Sequence, residues 1–260
     1  NLEGLRVLGK AKDFSHHYYL SGADEICYID NVATLYGTNN LSKLINHAAK
    51  DVFIPLSVGG GIRSIDDMQN IFYAGADKIC INSSIIENIN LLSKAAKIFG
   101  SANIVIMIQA IKMNNKYYVS KSNGRDLVNI NPVAWAKRVE SFGAGEIILT
   151  SVNNEGLKKG FDISLVKKVS EAVNIPVIAH GGAGNFKHVY DVIRQTRISG
   201  VGLASILHYE ALNNFPKFTP KVGNTSFLKN VNKSKKKNNV IQQLKKYLKS
   251  KNIKVRYEKK

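Results

Sequence analysis

The chain has 260 residues, of which 44% are hydrophobic and 22% charged. This composition excludes a disordered chain, a collagen-like repeat and a small disulfide scaffold, and it suffices for a sizeable core. No apolar run approaches the roughly 18 residues of a membrane span, and the N-terminal segment lacks a signal peptide's apolar region. We therefore expect a soluble cytoplasmic protein without a membrane partner. Cys27 and Cys80 lie in apolar runs and are predicted to be buried thiols, with a disulfide as the alternative.

The net charge of +18 is concentrated at the C-terminal end of the chain. Residues 211–260 hold 15 Lys/Arg and one acidic residue, whereas the rest carries 22 basic and 18 acidic side chains. A nucleic-acid-binding protein would spread its basic charge over a folded surface, so a nucleic-acid partner is not favoured. We predict one domain over 1–260, with a basic low-complexity loop at 211–237 and the last helix and tail at 238–260.

Short apolar runs alternate with amphipathic stretches along the chain. This alternation is typical of a parallel sheet covered by helices. The seven predicted strands are 25–30, 54–58, 78–82, 104–109, 146–150, 176–180 and 200–204. The helical candidates between and after them are 65–73, 91–99, 133–141, 163–173 and 240–248.

An internal repeat identifies the architecture. Residues 14–26 match residues 135–147 at an offset of 121, and 58–61 match 180–183 at an offset of 122. Two similar half-units of about four βα pairs indicate a duplicated half-barrel and hence a (β/α)₈ TIM barrel. The strand at 104–109 opens the second half, and its partner would fall before residue 1. We therefore expect the first barrel strand to be missing from this chain.

Two glycine-rich loops occupy equivalent positions in the two halves. Gly59–Gly61 and Gly181–Gly184 each follow a predicted strand and precede a helix, where backbone N–H groups can approach an anion. Each has a companion one strand further on, 82–84 in the first half and 204–205 in the second. Two such loops favour a substrate with a phosphate at each end.

Polar residues at the carboxyl ends of the predicted strands are the catalytic candidates in this fold. They are Asp30, Gln109, Thr150 with Ser151, and His180. Asp30 is equally compatible with a general base and a hydrogen-bonded strand end, and His180 with an acid–base group and a buried structural histidine. No spacing of His and Cys indicates a metal site, and no cofactor is expected.

A second polar set marks the opposite end of the predicted barrel. Glu25, Lys78 and Glu146 stand at strand starts. Charges at that end usually serve stability or solubility, and the alternative is a gate to a channel through the barrel.

These motifs together resemble the cyclase subunit of imidazole glycerol phosphate synthase. The matching stretches include Ser57–Ile62, Gly75–Lys78, Gly143–Ile147, Leu149–Ser151 and Gly181–Gly184. In that family, ammonia from a partner glutaminase crosses the barrel and reacts with a bisphosphorylated ribulosyl intermediate. The products are imidazole glycerol phosphate and an aminoimidazole carboxamide ribotide.

The resemblance also implies roles for individual residues. Glu25, Lys78 and Glu146 would form the ammonia gate, and Asp77 would face the glutaminase in a heterodimer. One phosphate would be held by the residues Gly61, Asn82 and Ser83. The other would be held by the residues Glu155, Gly156, Gly182, Ala204 and Ser205.

The sequence departs from the family at the residues that carry out the reaction. One of the family's two catalytic aspartates belongs to the absent first strand, and the other aligns with Gln109, which does not titrate near neutral pH. The family's Asp-Arg-Asp-Gly-Thr stretch is also altered, at 153–157. With these changes the chain resembles a paralogue that takes part in surface-polysaccharide synthesis and supplies ammonia to a sugar amidotransferase.

Four functions thus stand as alternatives. They are a lyase of histidine biosynthesis, a partner-dependent ammonia-delivery subunit, a basic-tailed binding module and a phosphosugar isomerase.

Overall fold

The computed structural model describes residues 8–31, 41–212 and 239–256. Within them, seven parallel strands form one sheet, paired in chain order, and a hairpin of two further strands extends from the fourth. The barrel strands are β1 (Ile26–Ile29), β2 (Leu56–Gly59), β3 (Lys78–Ile81), β4 (Ile104–Met113), β7 (Glu146–Ser151), β8 (Val177–His180) and β9 (Gly200–Gly202). This arrangement confirms the predicted fold class, a (β/α)₈ TIM barrel.

Helices connect the strands and cover the outer face of the sheet. They are α1 (Ala11–Leu20), α2 (Leu41–Asp51), α3 (Ile65–Tyr73), α4 (Ser83–Glu87), α5 (Asn90–Phe99), α6 (Pro132–Ser141), α7 (Ile163–Ser170), α8 (Phe186–Gln195), α9 (Ser205–Ala211) and α10 (Val240–Ser250). The stretch predicted to be helical over 163–173 ends at Ser170 instead. Within the three described ranges, no helix is long and apolar enough to cross a membrane.

Successive side chains along each strand point alternately to the outer and the inner face of the sheet. Ile104, Ile106 and Ile108 of β4 point outward, are fully buried beneath the helices and belong to one continuous core. The residues between them point into the barrel, as Gln109 does at the end of the same strand. The outward face therefore supplies the hydrophobic core, and the inward face is left to carry polar groups.

The inward face of β1 overturns one expectation from the sequence. Both cysteines are free, and Cys80 is buried, but Cys27 is exposed to solvent. An apolar run predicts a strand, but it does not reveal which of its side chains stay exposed to solvent.

The hairpin after β4 was not predicted from the sequence. Its strands are β5 (Lys116–Lys121) and β6 (Asp126–Val128), and β5 pairs with β4 in antiparallel register. Its far turn contacts α4, because Lys121 Nζ donates to Glu87 Oε1 at 2.7 Å and the Ser122 N–H donates to Ser83 Oγ at 3.3 Å. The hairpin therefore leans over the carboxyl ends of the first strands.

Of the C-terminal region, α10 lies where the apolar spacing predicts a helix. An ion pair between Lys245 Nζ and Asp24 Oδ1, at 2.6 Å, links α10 to the segment between α1 and β1. The predicted basic loop at 211–237 lies outside the described residues apart from 211 and 212.

Candidate active site

The carboxyl ends of the strands, called the mouth below, surround a cavity of about 390 Å³ in the first half of the sheet. Its walls are predominantly polar. The polar residues among them are Asp30, Arg63, Asn82, Ser83, Ser84, Glu87, Gln109, Ser122 and Asn123, and Gly60 and Gly61 line it with them. The cavity thus brings together seven of the residues singled out in the sequence, namely Asp30, Gly60, Gly61, Asn82, Ser83, Ser84 and Gln109. The polar lining residues Arg63, Glu87, Ser122 and Asn123 were not predicted.

Close packing against β1 already requires glycine in the loop after β2, whether or not the loop binds an anion. Gly60 has φ +109°, and a Cβ there would lie 2.3 Å from the carbonyl oxygen of Asp30. At the start of the helix that follows, the Asp67 carboxylate accepts from the backbone N–H groups of Arg63 and Ser64, and the Asp67 N–H donates to Ser64 Oγ. The N-terminus of α3 is therefore occupied by its own capping box.

The short helix α4 offers the better anion site. Its N-cap residue, Asn82, has φ −135° and ψ −84° and makes no side-chain capping bond. The Ile85 N–H donates to the Asn82 carbonyl at 3.2 Å. The helix start therefore leaves the two N–H groups before it, those of Ser83 and Ser84, to a ligand, and both residues line the cavity.

The second half of the barrel repeats this geometry. Ala204, which is 122 residues after Asn82, has φ −123° and ψ −81°, and it precedes the equally uncapped helix α9 that begins at Ser205. Nearby, Gly182 has φ +105°, and a Cβ there would lie 2.0 Å from the carbonyl oxygen of Gly160. The two halves therefore carry matching helix starts at the mouth, as the internal repeat predicts.

A row of polar side chains crosses the mouth between the two helix starts. Gln109, Thr150 and His180 are register partners on β4, β7 and β8. Gln109 Oε1 accepts from Asn82 Nδ2 at 3.2 Å. The Thr150 hydroxyl and His180 Nδ1 are 3.0 Å apart and hydrogen-bonded. Three of the four predicted catalytic residues thus lie at one level of the barrel.

Burial determines the charge state of His180. It lowers the pKa of the imidazole, and the negative charge of Glu155 opposes that shift without cancelling it. His180 is therefore neutral at neutral pH. Glu155 and Gly156 lie in the turn that follows β7, where the Glu155 N–H donates to the Ser151 carbonyl at 3.0 Å and Gly156 has φ +74°.

The fourth predicted catalytic residue, Asp30, follows β1 directly. Its backbone N–H donates to the Gly59 carbonyl at 2.9 Å, and its side chain lines the cavity. The sequence was compatible with either a hydrogen-bonded strand end or a catalytic position. In the structure Asp30 makes the strand-end bond and also lies at the mouth.

The opposite end of the barrel, called the base below, carries a charged cluster. Lys78 Nζ donates to Glu25 Oε2 at 2.9 Å and to Glu146 Oε2 at 2.7 Å, and the Ser57 hydroxyl donates to Glu25. Burial acts to lower the pKa of Lys78, but its bonds to the two carboxylates outweigh burial and raise it. The three residues predicted from strand starts are therefore joined across the barrel interior.

Asp77, the predicted partner-facing residue, is exposed at the base. Its carboxylate accepts from the Leu56 N–H at 2.8 Å, which ties the start of β2 to the loop before β3. In the described part of the chain, no three metal-binding side chains converge.

Comparison with known proteins identifies the family. The family model described as "Histidine biosynthesis protein" matches residues 2–213. The chain is 49% identical over 188 residues to imidazole glycerol phosphate synthase subunit HisF of Legionella pneumophila, covering 72% of this chain and 89% of that protein. HisF of Methanopyrus kandleri is 40% identical over 225 residues (79% and 83%), and HisF of Bacillus cereus strain Q1 is 42% identical over 210 residues (80% and 83%). The chain therefore belongs to the HisF family of histidine biosynthesis proteins.

Proposed function

We propose that this chain is the ammonia-using cyclase subunit of a glutamine amidotransferase of the imidazole glycerol phosphate synthase type. In this reaction ammonia and a ribulosyl bisphosphate intermediate give imidazole glycerol phosphate and an aminoimidazole carboxamide ribotide. The observation that carries the proposal is the pair of matching, uncapped helix starts at Asn82 and Ala204. They give the mouth two anion sites, one in each half, as a substrate with two terminal phosphates requires.

Each phosphate is assigned to one half of the barrel. Gly61, Asn82 and Ser83 bind the first, and Arg63 adds a positive charge in the same cavity. The second is bound by the residues Gly156, Gly182, Ala204 and Ser205. Glu155, also assigned here from the resemblance, lies in the adjoining turn, where its N–H is bonded to the Ser151 carbonyl. The body of the substrate then lies across Gln109, Thr150 and His180.

Ammonia enters at the base through the cluster of Glu25, Lys78 and Glu146. Lys78 bridges two carboxylates that belong to non-adjacent strands, so its side chain lies across the interior. Movement of this single side chain would open the base toward the mouth. The cluster therefore has the form of a gate.

The partner at the base is a glutaminase subunit. Exposed apolar side chains at the helix ends that return to the base are Leu20, Phe53, Tyr73 and Ile98. Phe53 is 75% exposed and Tyr73 78% exposed, and Asp77 lies beside Phe53 in a groove of about 370 Å³. Large exposed aromatic residues next to a gate are typical of a protein–protein interface, and the gate gives that interface its function.

The proposal is tested by ammonia-dependent turnover of the ribulosyl bisphosphate intermediate by the full chain, with binding of the intermediate measured in parallel. Turnover with formation of both products supports the cyclase. Binding without turnover overturns it.

The amide at position 109 favours a second candidate, delivery of ammonia to a sugar amidotransferase without cyclase chemistry. Gln109 is already hydrogen-bonded to another amide, Asn82, and neither group takes up a proton near neutral pH. Binding of the intermediate without turnover, together with ammonia-dependent amidation of a nucleotide-linked or lipid-linked sugar, would support this candidate.

A further inference from the structure

We propose that His180 is the acid–base residue of this barrel and moves protons in the proposed reaction, for which the Gln109 amide offers no group that titrates near neutral pH. The inference rests on the proposed cyclase function and adds a named residue to it. Its basis is the register row at the mouth. Gln109, Thr150 and His180 lie at one level on three neighbouring strands, so the imidazole is about 10 Å from Gln109 along the sheet.

The ring of His180 is held in one orientation. Thr150 engages its Nδ1, and the ring lies against Gly202 of β9, where a Cβ would be 3.2 Å from His180 Cδ2. Nε2 forms no hydrogen bond with any residue in the described ranges. One nitrogen is thus fixed and the other is left for a ligand, which is the arrangement of a positioned general base.

Thr150 allows the ring to act in both directions. A hydroxyl can either accept from Nδ1–H or donate to Nδ1, because it has a rotatable proton and two lone pairs. In the first case Nε2 is a base; once it has taken up a proton, the imidazolium keeps its Nδ1–H bond to Thr150 and is an acid at Nε2. Thr150 is therefore a positioning residue that supports either tautomer.

The proposed reaction needs a group that transfers protons. Ammonia condenses with the ribulosyl ketone: the N–C bond forms, two protons pass from nitrogen to oxygen, and the oxygen leaves as water. One ketone and one ammonia give one imine and one water, with no net proton change. His180 Nε2 takes each proton from nitrogen and passes it to oxygen, so the ring ends neutral as it began. Gln109 holds a polar group of the substrate by hydrogen bonding.

Two titratable groups act on His180 from the elements around it. Glu155 in the turn after β7 raises its pKa, although burial lowers it more. His208 of α9 is also near enough to interact with His180, and burial lowers the pKa of His208 as well. The base form is therefore retained through neutral pH and is lost as the pH falls below the ordinary histidine value near 6.5.

The test compares His180→Asn with wild type and with His16→Asn, the same change at an exposed histidine of α1. Turnover of the ribulosyl intermediate is measured from pH 5 to 9 at fixed free ammonia. We expect His180→Asn to lower kcat about 10²–10⁴-fold, leave KM within a few fold and remove the acidic limb of the profile. We expect His16→Asn to match wild type.

Each remaining outcome has a definite meaning. Wild-type turnover with an unchanged kcat and profile in His180→Asn overturns the role of His180 and leaves the cyclase intact. Loss of the acidic limb in Asp30→Asn but not in His180→Asn assigns the base to Asp30 instead. Absence of wild-type turnover overturns the proposed function and the role of His180 together. Binding of the intermediate by His180→Asn shows that a low rate is not a folding defect.

Discussion

Replacing Lys78 by Met removes the cation of the base cluster while it keeps the apolar stem of the side chain. Lys78 is 22% exposed, Glu146 13% and Glu25 33%. The bond to the more buried Glu146 contributes about 2 kcal/mol, as charged hydrogen bonds do when partly buried. The bond to Glu25 contributes about 0.5–1 kcal/mol because solvent screens it. Two carboxylates are then left facing each other, so we expect Lys78→Met to lower the free energy of unfolding by about 3 kcal/mol, near the lower range for a broken buried pair.

Urea unfolding at pH 7 measures this loss, which corresponds to a midpoint lower by at least about 1 M. The pKa of Lys78 is raised in the folded chain, so its contribution is complete below the ordinary lysine value of 10.5 and is lost as the pH rises through the folded value. The deficit of the variant therefore persists throughout the neutral range.

Lys187→Met is the matched control. Lys187 bonds to Asp191 at the same 2.7 Å, but its side chain is 72% exposed. We expect no measurable change in that variant. Equal stability of Lys78→Met and wild type would refute the conclusion that burial makes the base cluster stabilising.

Two further predictions concern the mouth and the base. Gly182→Ala should lower the free energy of unfolding by more than about 3 kcal/mol, because its Cβ would meet the Gly160 carbonyl, whereas Gly22→Ala, at φ +89° with open space around it, should cost about 1 kcal/mol. Equal costs in thermal unfolding would contradict the role of close packing. Phe53→Asp should leave the free energy of unfolding within about 0.5 kcal/mol and weaken glutaminase binding about tenfold or more. The control Leu127→Asp, at an exposed site on the hairpin, should leave binding unchanged, and equal binding by both variants would remove Phe53 from the interface.

Most of the barrel could be predicted because its strands are buried on their outer face. The runs at 78–82 and 104–109 carry enough isoleucine to be recognised without knowledge of the fold. The hairpin was missed because Lys116–Lys121 has no such run. A usable signal was present, however. Asn114 and Asn115 both have positive φ, 48° and 60°, and an Asn pair is typical of the two-residue turn that joins β4 to β5.

The site was only partly predictable, for a different reason. The positions of Asp30, Gln109 and His180 could be predicted from strand ends and glycine loops, because both features are visible in a short stretch of sequence. The bonds that define their chemistry join separate strands, as Thr150 joins His180 and Asn82 joins Gln109. Such contacts depend on register and rotamer.

The resemblance to the cyclase subunit is confirmed by the family match, whereas the paralogue of surface-polysaccharide synthesis stays a prediction. The site roles carried over from that family also stay predictions. The geometry supports them by placing the gate residues in one cluster and the phosphate residues at two equivalent helix starts.

The most direct test of the central claim is the rate at which the chain converts the ribulosyl bisphosphate intermediate when ammonium salt replaces the glutaminase. The account predicts formation of imidazole glycerol phosphate and the aminoimidazole carboxamide ribotide in equal amounts, at a rate proportional to free ammonia below saturation. An intermediate that binds at the mouth and is recovered unchanged would contradict it.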